Sequence, residues 1–387
     1  MFYHLMAALI DWEILRINPF QYITVRAVCA GTMALLISWV VGPRTISVLR
    51  QLKAGQPIRS VTIKGAPNLA EMHGSKAGTP TMGGLMIIMA LIVPVLLWCN
   101  LLNPMVWLLI FASLGFGTVG FLDDYLKITR KSSDGLSPIQ KIVGQVSVAL
   151  IIGLYLYLFG DTKTLGVEYK YFEQGVAYGP WQGYDFLQVP FLKWFYPHIG
   201  LLFIPYVIVV LTSTSNAVNL TDGLDGLCIG ITAIVTAAFM LLAYLCSNKF
   251  FSEYLMMAYV PRADEVVVFM SALFGACLGF LWFNAYPAEM FMGDTGSLTL
   301  GGVIGTVALI TKQEILFVVI GGVFVIEAVS VVLQVGSYKL TGKRVFLMAP
   351  IHHHYERKGM KEAKIIARFW VIGILLAIIG LSTLKLR

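Results

Sequence analysis

Residues 105–127 read MVWLLIFASLGFGTVGFLDDYLK. Eighteen uncharged residues, about the length of helix that crosses a bilayer, end on two adjacent aspartates. Carboxylates are costly at a membrane edge and must be met by water, a cation or a hydrogen-bond donor. The pattern recurs along the 387 residues: ten candidate spans run over roughly 23–41, 84–102, 105–122, 142–160, 199–213, 226–245, 266–284, 297–311, 315–336 and 366–384. The eighth is short and rich in glycine and is the weakest of the ten. The chain is 58% hydrophobic and 13% charged, with mean hydropathy +0.78; a soluble domain carries about twice that share of charge. The expected fold is an all-α integral membrane protein, one polytopic domain over 1–387. A β-barrel would show short alternating segments instead. No N-terminal stretch reads as a cleavable signal, so the first span is expected to be retained.

The parity of the spans places the chemistry. Loops 42–83, 123–141, 214–225, 285–296 and 337–365 follow odd-numbered spans and share one face. They hold seventeen of the 28 lysines and arginines. An excess of basic residues marks the cytoplasmic side, which puts both termini outside. Five aspartates fall on that same face: Asp123, Asp124, Asp222, Asp225 and Asp294. The net charge of +7 is thereby explained by topology, and nucleic acid is not an expected partner. Cys29, Cys99, Cys228, Cys246 and Cys277 show no CxxC spacing and read as packing residues. The 161–198 loop, with Tyr169, Tyr171, Phe172, Trp181 and Trp194, reads as an exterior interfacial segment without evident chemistry.

Five motifs carry the chemistry. Adjacent helical residues point about 100° apart, so Asp123 and Asp124 need not do the same job. One can face a ligand and the other the backbone, or both can pair with Lys127 or Arg130. In Asn216-Ala-Val-Asn219-Leu-Thr-Asp222-Gly-Leu-Asp225-Gly226, two Asp-Gly steps suggest a turn or a helix start. Asn219, Thr221 and Asp222 suit a sugar or a base, while helix capping explains only one of the aspartates. Phe291-Met-Gly293-Asp294-Thr-Gly296-Ser297 flanks a carboxylate with glycines. Asp294 is then a candidate Mg²⁺ ligand, or it and Ser297 are N-caps. Asn284, in WFNAYPAE, adds an amide. Met348-Ala-Pro350-Ile-His352-His353-His354-Tyr355-Glu356 fits phosphate or uridine better than zinc, whose ligands are spaced. Lys76-Ala-Gly78-Thr79-Pro80-Thr81-Met-Gly83-Gly84 has the composition of a phosphate cradle without Walker spacing. Glu327 and Gln334, seven apart in the ninth span, share a helical face and either line a cavity or pair between helices.

Together these stretches (KAGTPTMGG, GFLDDYLK, NAVNLTDGLDGL, FNAYPAEMFMGDTGS and MAPIHHHYE) resemble the phospho-N-acetylmuramoyl-pentapeptide transferases. These belong to the polyprenyl-phosphate N-acetylhexosamine-1-phosphate transferases. The resemblance covers nearly the whole chain. It implies ten membrane helices and a cytoplasmic Mg²⁺ site in a homodimer of the bacterial cytoplasmic membrane. It also implies transfer of phospho-N-acetylmuramoyl-pentapeptide from UDP-N-acetylmuramoyl-pentapeptide to undecaprenyl phosphate, the lipid I step of peptidoglycan synthesis. Carried onto this chain, Asp294 is the metal ligand, Asp123 the base with Asp124 beside it, and His352 the essential histidine with His353 and His354 alongside. Lys76, Thr81, Asn219, Asp222, Asp225, Asn284, Phe291 and Gln334 align with the nucleotide pocket. Lys127 and Lys141 are expected to offset phosphate charge. Two other classes compete. A sister transferase for UDP-N-acetylglucosamine shares the aspartates but not the histidine triplet. A transporter would place charges at mid-membrane and repeat its topology.

Overall fold

The computed structural model describes residues 1–11, 19–52, 78–130, 135–165, 178–190, 192 and 195–385. Lys76 lies outside them, as do Tyr169, Tyr171, Phe172 and Trp194. Among the described residues, nine helices are long and apolar enough to cross a membrane, and Gly84–Trp98 is a shorter apolar tenth. In chain order the helices are α1 (Phe2–Asp11), α2 (Ile23–Gln51), α3 (Gly84–Trp98), α4 (Pro104–Arg130) and α5 (Pro138–Phe159). Then come α6 (Phe203–Thr221), α7 (Leu227–Ser247), α8 (Lys249–Leu255), α9 (Asp264–Asn284) and α10 (Gly293–Ile310). The last four are α11 (Glu314–Ile320), α12 (Gly322–Thr341), α13 (Ile351–Arg357) and α14 (Glu362–Ser382). An antiparallel hairpin of β1 (Thr162–Leu165) and β2 (Tyr178–Gln182) adds two short strands to an otherwise helical fold.

Three helix ends differ from the sequence reading for a common reason. Polar residues at a membrane edge do not end a helix when its turns pair internally. α2 continues past the expected residue 41 to Gln51, α4 past 122 to Arg130 and α6 past 213 to Thr221. Asp123 and Asp124 therefore sit on a helix, with Lys127 one turn further along it, rather than at the start of a loop. The expected ninth span, 315–336, is instead divided at Gly321 into α11 and α12.

The weakest span by sequence is the most enclosed helix. From Thr295 to Ile310 every residue of α10 is buried. It packs on α4 and α6, and also on α3 and α7. Its glycines and threonines lower the hydropathy but let neighbouring backbones approach, which is how helices associate in lipid. The Thr299 and Thr306 hydroxyls are satisfied within the helix by the carbonyls of Thr295 and Gly302. By contrast α12 and α14 expose Val332, Leu333, Ile374, Leu375 and Ile378, the surface expected against lipid.

The two ends of α10 differ. At its C-terminal end the Tyr184 hydroxyl donates to the Ile310 carbonyl, 3.1 Å, tying down the segment that follows the hairpin. At the same end of the bundle Arg26 and Glu265 form a buried pair at 2.7 Å, and Glu265 also accepts the Asn100 amide at 2.8 Å. Removing one partner of such a pair leaves a buried charge. Arg26→Met is therefore expected to destabilise the fold by on the order of 3 kcal/mol, read as a lower unfolding temperature in detergent. The other end of α10 carries Asp294.

Candidate active site

The N-terminus of α10 has no cap of its own. Met292 occupies the N-cap position without a side-chain bond. The cap comes from a different helix. Asp124 on α4 accepts the backbone amides of Asp294 (3.2 Å) and Thr295 (2.8 Å) and the Thr295 hydroxyl (2.7 Å). A carboxylate at a helix N-terminus is favoured by the exposed amides and by the helix dipole. Asp124 thus fixes where α10 begins, and with it the position of Asp294. Gly120, one turn before Asp124, permits the approach: a Cβ there would collide with the Asp294 carbonyl.

The loop before α3 holds the same point from another side. The Phe291 amide donates to the Pro80 carbonyl, while Gly83 and Gly84 donate to the carbonyls of Phe291 and Met292. Thr81 is buried, and its hydroxyl lies beside Gly293. Gly120→Val is expected to push α10 off α4 and to lower both the unfolding temperature and any activity that depends on the position of Asp294. A change in activity alone would place the strain elsewhere.

Asp123 points differently from its neighbour, as the 100° step requires. One oxygen accepts the Leu136 amide at 2.8 Å, and the other lies 2.5 Å from the Lys127 ammonium. Leu136 precedes a capping box in which Ser137 accepts the Gln140 amide and Gln140 accepts the Ser137 amide, with Pro138 opening α5. That start brings Lys141 to 2.7 Å from Asp294 Oδ2. Lys127 reaches the same oxygen at 3.1 Å. Asn219 on α6 donates to Asp294 Oδ1 and to the Ser297 hydroxyl, both at 2.8 Å.

Three carboxylates therefore converge, with ligand oxygens of Asp123, Asp124 and Asp294 within 4.8 Å of one another. Two ammonium groups face three carboxylates at neutral pH, and all the donors are hard oxygens. That donor set fits Mg²⁺, which prefers carboxylate and phosphate oxygens. The lysines are partly open to solvent, at 27% and 18%, so the cluster can be reached from water.

The Thr221–Gly226 turn joins α6 to α7 beside this cluster. Burial pushes the Asp222 carboxyl up to about 8, with Asp294, Asp124 and Asp225 adding repulsion. Asp225 accepts the Ala288 amide at 3.0 Å, pinning the loop before α10. Asn284 works beside it, donating to the Met290 carbonyl and accepting the Gly226 amide.

His352 is fully buried on α13. Its Nδ1 lies 3.1 Å from Glu327 on α12, and its Nε2 faces Gly223, where any Cβ would occupy the imidazole's space. The histidine is thus lodged one residue from Asp222. Its two neighbours point elsewhere. His353 Nδ1 meets Glu356 at 2.6 Å, and His354 Nδ1 accepts the Leu347 amide at 3.1 Å. Gln334 accepts the Val345 and Phe346 amides and donates to the Phe346 carbonyl, holding the segment ahead of α13.

The geometry thus groups Asp123, Asp124, Lys127, Lys141, Asn219 and Asp294 directly. Thr81, Asp222 and His352 sit around them. Asp225, Asn284 and Gln334 are taken up by backbone groups of the loops that frame the site. Sequence reading missed the parts played by Thr295, Gly120 and Gly223. Thr295 had a faint signal as the residue after Asp294, and the two glycines had none, since their partners lie on other helices.

The profile of glycosyl transferase family 4 matches residues 106–312, which span α4 to α10 and hold all three clustered aspartates. A signature of phospho-N-acetylmuramoyl-pentapeptide-transferases matches residues 76–88, which include Pro80, Gly83 and Gly84 that clamp the start of α10. Over the full length of both chains, the sequence is 47% identical to the phospho-N-acetylmuramoyl-pentapeptide-transferase of Citrifermentans bemidjiense. The corresponding figures are 48% for the enzyme of Pelobacter propionicus and 45% for that of Desulfotalea psychrophila. Identity at that level over the full length of both chains makes this chain an enzyme, a member of the phospho-N-acetylmuramoyl-pentapeptide-transferase family.

Proposed function

We propose that the protein transfers phospho-N-acetylmuramoyl-pentapeptide from its UDP carrier to undecaprenyl phosphate, releasing UMP and forming lipid I. The observation that carries this reading is the convergence of three carboxylates and two lysines at one end of the membrane bundle. There a lipid phosphate can arrive from the bilayer and a nucleotide from water. By the charge bias of the loops that end is cytoplasmic, both termini lie on the other side, and residues 1–387 form one domain of the bacterial cytoplasmic membrane. The working unit is a homodimer.

Mg²⁺ bound by Asp294, with Asp123 and Asp124 adjoining, would supply charge neutralisation for the pyrophosphate. The protein's own groups do the rest. Lys127 and Lys141 meet phosphate oxygens that gain charge as the pyrophosphate breaks. Asn219 keeps Asp294 oriented. Asp123, the less committed of the pair, takes the proton from the lipid phosphate. An oxygen of that phosphate then bonds to the sugar-linked phosphorus, the bond to the bridging oxygen breaks, and UMP leaves with the electron pair. His352, Asp222 and Thr81 border the nucleotide, Phe291 belongs to a loop that encloses it, and Asn284 and Gln334 hold such loops from their helices; Lys76, outside the described residues, is assigned to the phosphates by its motif alone. Direct displacement requires inversion at the transferred phosphorus. Retention would instead require a covalent aspartyl-phosphate.

The choice of sugar is tested by competition. Purified protein given undecaprenyl phosphate and Mg²⁺ with equal UDP-N-acetylmuramoyl-pentapeptide and UDP-N-acetylglucosamine is expected to consume only the first. Consumption of the second would assign the chain to the sister activity.

A further inference from the structure

Away from the carboxylate cluster, α12, α13 and α14 enclose a groove of about 280 Å³. Its walls are Val323 and Ile326 from α12, Ile351 and Tyr355 from α13, and Ile365 and Phe369 from α14. The spacing is helical on each wall. On α13 the groove-facing residues are Ile351 and Tyr355, whereas His352 between them is buried against Glu327 and Gly223. The groove and the nucleotide side therefore lie on different faces of one short helix. The groove is continuous with surface that meets hydrocarbon, since Ile326 and Ile372 on its walls are about half exposed, as are Val329 and Val371 beside it.

One charged group lines this apolar space, Arg368 on α14. It falls on the same helical stripe as Ile365, Phe369 and Ile372. Among the described residues it has no carboxylate partner; its one contact is a weak bond from Nη1 to the Met360 sulfur at 3.7 Å. A cation on a membrane-facing apolar stripe is costly unless an anion meets it. The nearby carboxylates are engaged elsewhere, Glu362 by the Asp225 amide and Glu356 by His353. Lys358, Lys361 and Lys364 stand exposed around the turn into α14 and leave the mouth of the groove positively charged. An apolar slot in hydrocarbon with an unpaired guanidinium at the headgroup end and three lysines nearby is complementary to one class of ligand.

We propose that this groove binds an anionic membrane phospholipid, with an acyl chain between α12, α13 and α14 and the headgroup phosphate on Arg368. The occupant packs on the helix that carries His352 and so braces it from the bilayer side. This assignment does not depend on the transferase reading, because binding is measured without turnover.

The test uses the full-length protein, stripped of lipid in a neutral detergent and titrated with phosphatidylglycerol or phosphatidylcholine of the same chains. Native mass spectrometry reads retention. Phosphatidylglycerol is expected to be retained at about fivefold lower concentration than phosphatidylcholine, the preference one basic group supplies. Arg368→Gln is expected to abolish that preference, while Lys339→Gln, an exposed cation at the end of α12, keeps it. Ile372→Trp and Ile326→Trp, which fill the groove from opposite walls at half-exposed positions, are each expected to weaken retention of both lipids. Equal retention of the two lipids by the unaltered protein, or full preference in Arg368→Gln, would overturn the proposal. So would inorganic phosphate competing as well as the lipid does, which would mean a bare anion site. Loss of dimer in both tryptophan variants with lipid retention unchanged would make the groove a surface between copies of the chain.

Discussion

Asp294→Asn is expected to lower lipid I formation by on the order of 10³-fold while leaving the protein folded. Both oxygens of Asp294 are in use, one by Lys127 and Lys141 and the other by Asn219. Asparagine keeps an acceptor for Asn219 but turns an amide donor toward two ammonium groups. The charge that holds the lysines is lost, and so is the proposed metal ligand. Nothing in the core changes, because the side chain lies at the edge of the bundle. Initial rates under saturating substrates, with an unfolding curve for the same sample, check this. Near-normal turnover would remove Asp294 from the centre of the site.

The two adjacent aspartates are expected to fail in different ways. Asp124 accepts three hydrogen bonds at the start of α10, and asparagine cannot satisfy all three donors. Asp124→Asn is therefore expected to cost about 2 kcal/mol of stability as well as most activity, since charged hydrogen bonds to buried groups are worth that much. Asp123→Asn can keep its acceptor toward the Leu136 amide and loses mainly the pairing with Lys127. It is expected to lose activity by about 10²-fold or more with little change in unfolding temperature, as for a proton acceptor. Paired unfolding and rate measurements on the two variants decide. Equal losses of stability would mean that the two carboxylates share the capping role.

That asymmetry was half legible in the sequence. The 100° step between adjacent helical residues separates the roles of Asp123 and Asp124 but does not say which faces which partner, because the partner is a helix some 170 residues away. The spans were legible because hydropathy is a property of each segment alone. α10 was the weakest of them for the opposite reason: it contacts protein on every side, so small and polar residues replace the aliphatic ones that lipid demands. The Asp-Gly steps signalled a turn, and the turn is there. That Gly223 makes room for His352 needed the fold, since the two residues are far apart in the chain. Asn284, Asp225 and Gln334 were placed in the nucleotide pocket by the family resemblance; their hydrogen bonds to loop backbone depend on chain paths that sequence spacing does not encode.

The most direct measurement is the reaction itself. Purified protein in detergent is given UDP-N-acetylmuramoyl-pentapeptide, undecaprenyl phosphate and Mg²⁺, and both UMP and the lipid product are quantified over time. The carboxylate and lysine cluster predicts one UMP for each lipid product, with the rate abolished by chelation and restored by added Mg²⁺. A folded, lipid-supplied protein that forms no lipid product, or forms it at an undiminished rate after chelation, would contradict the account.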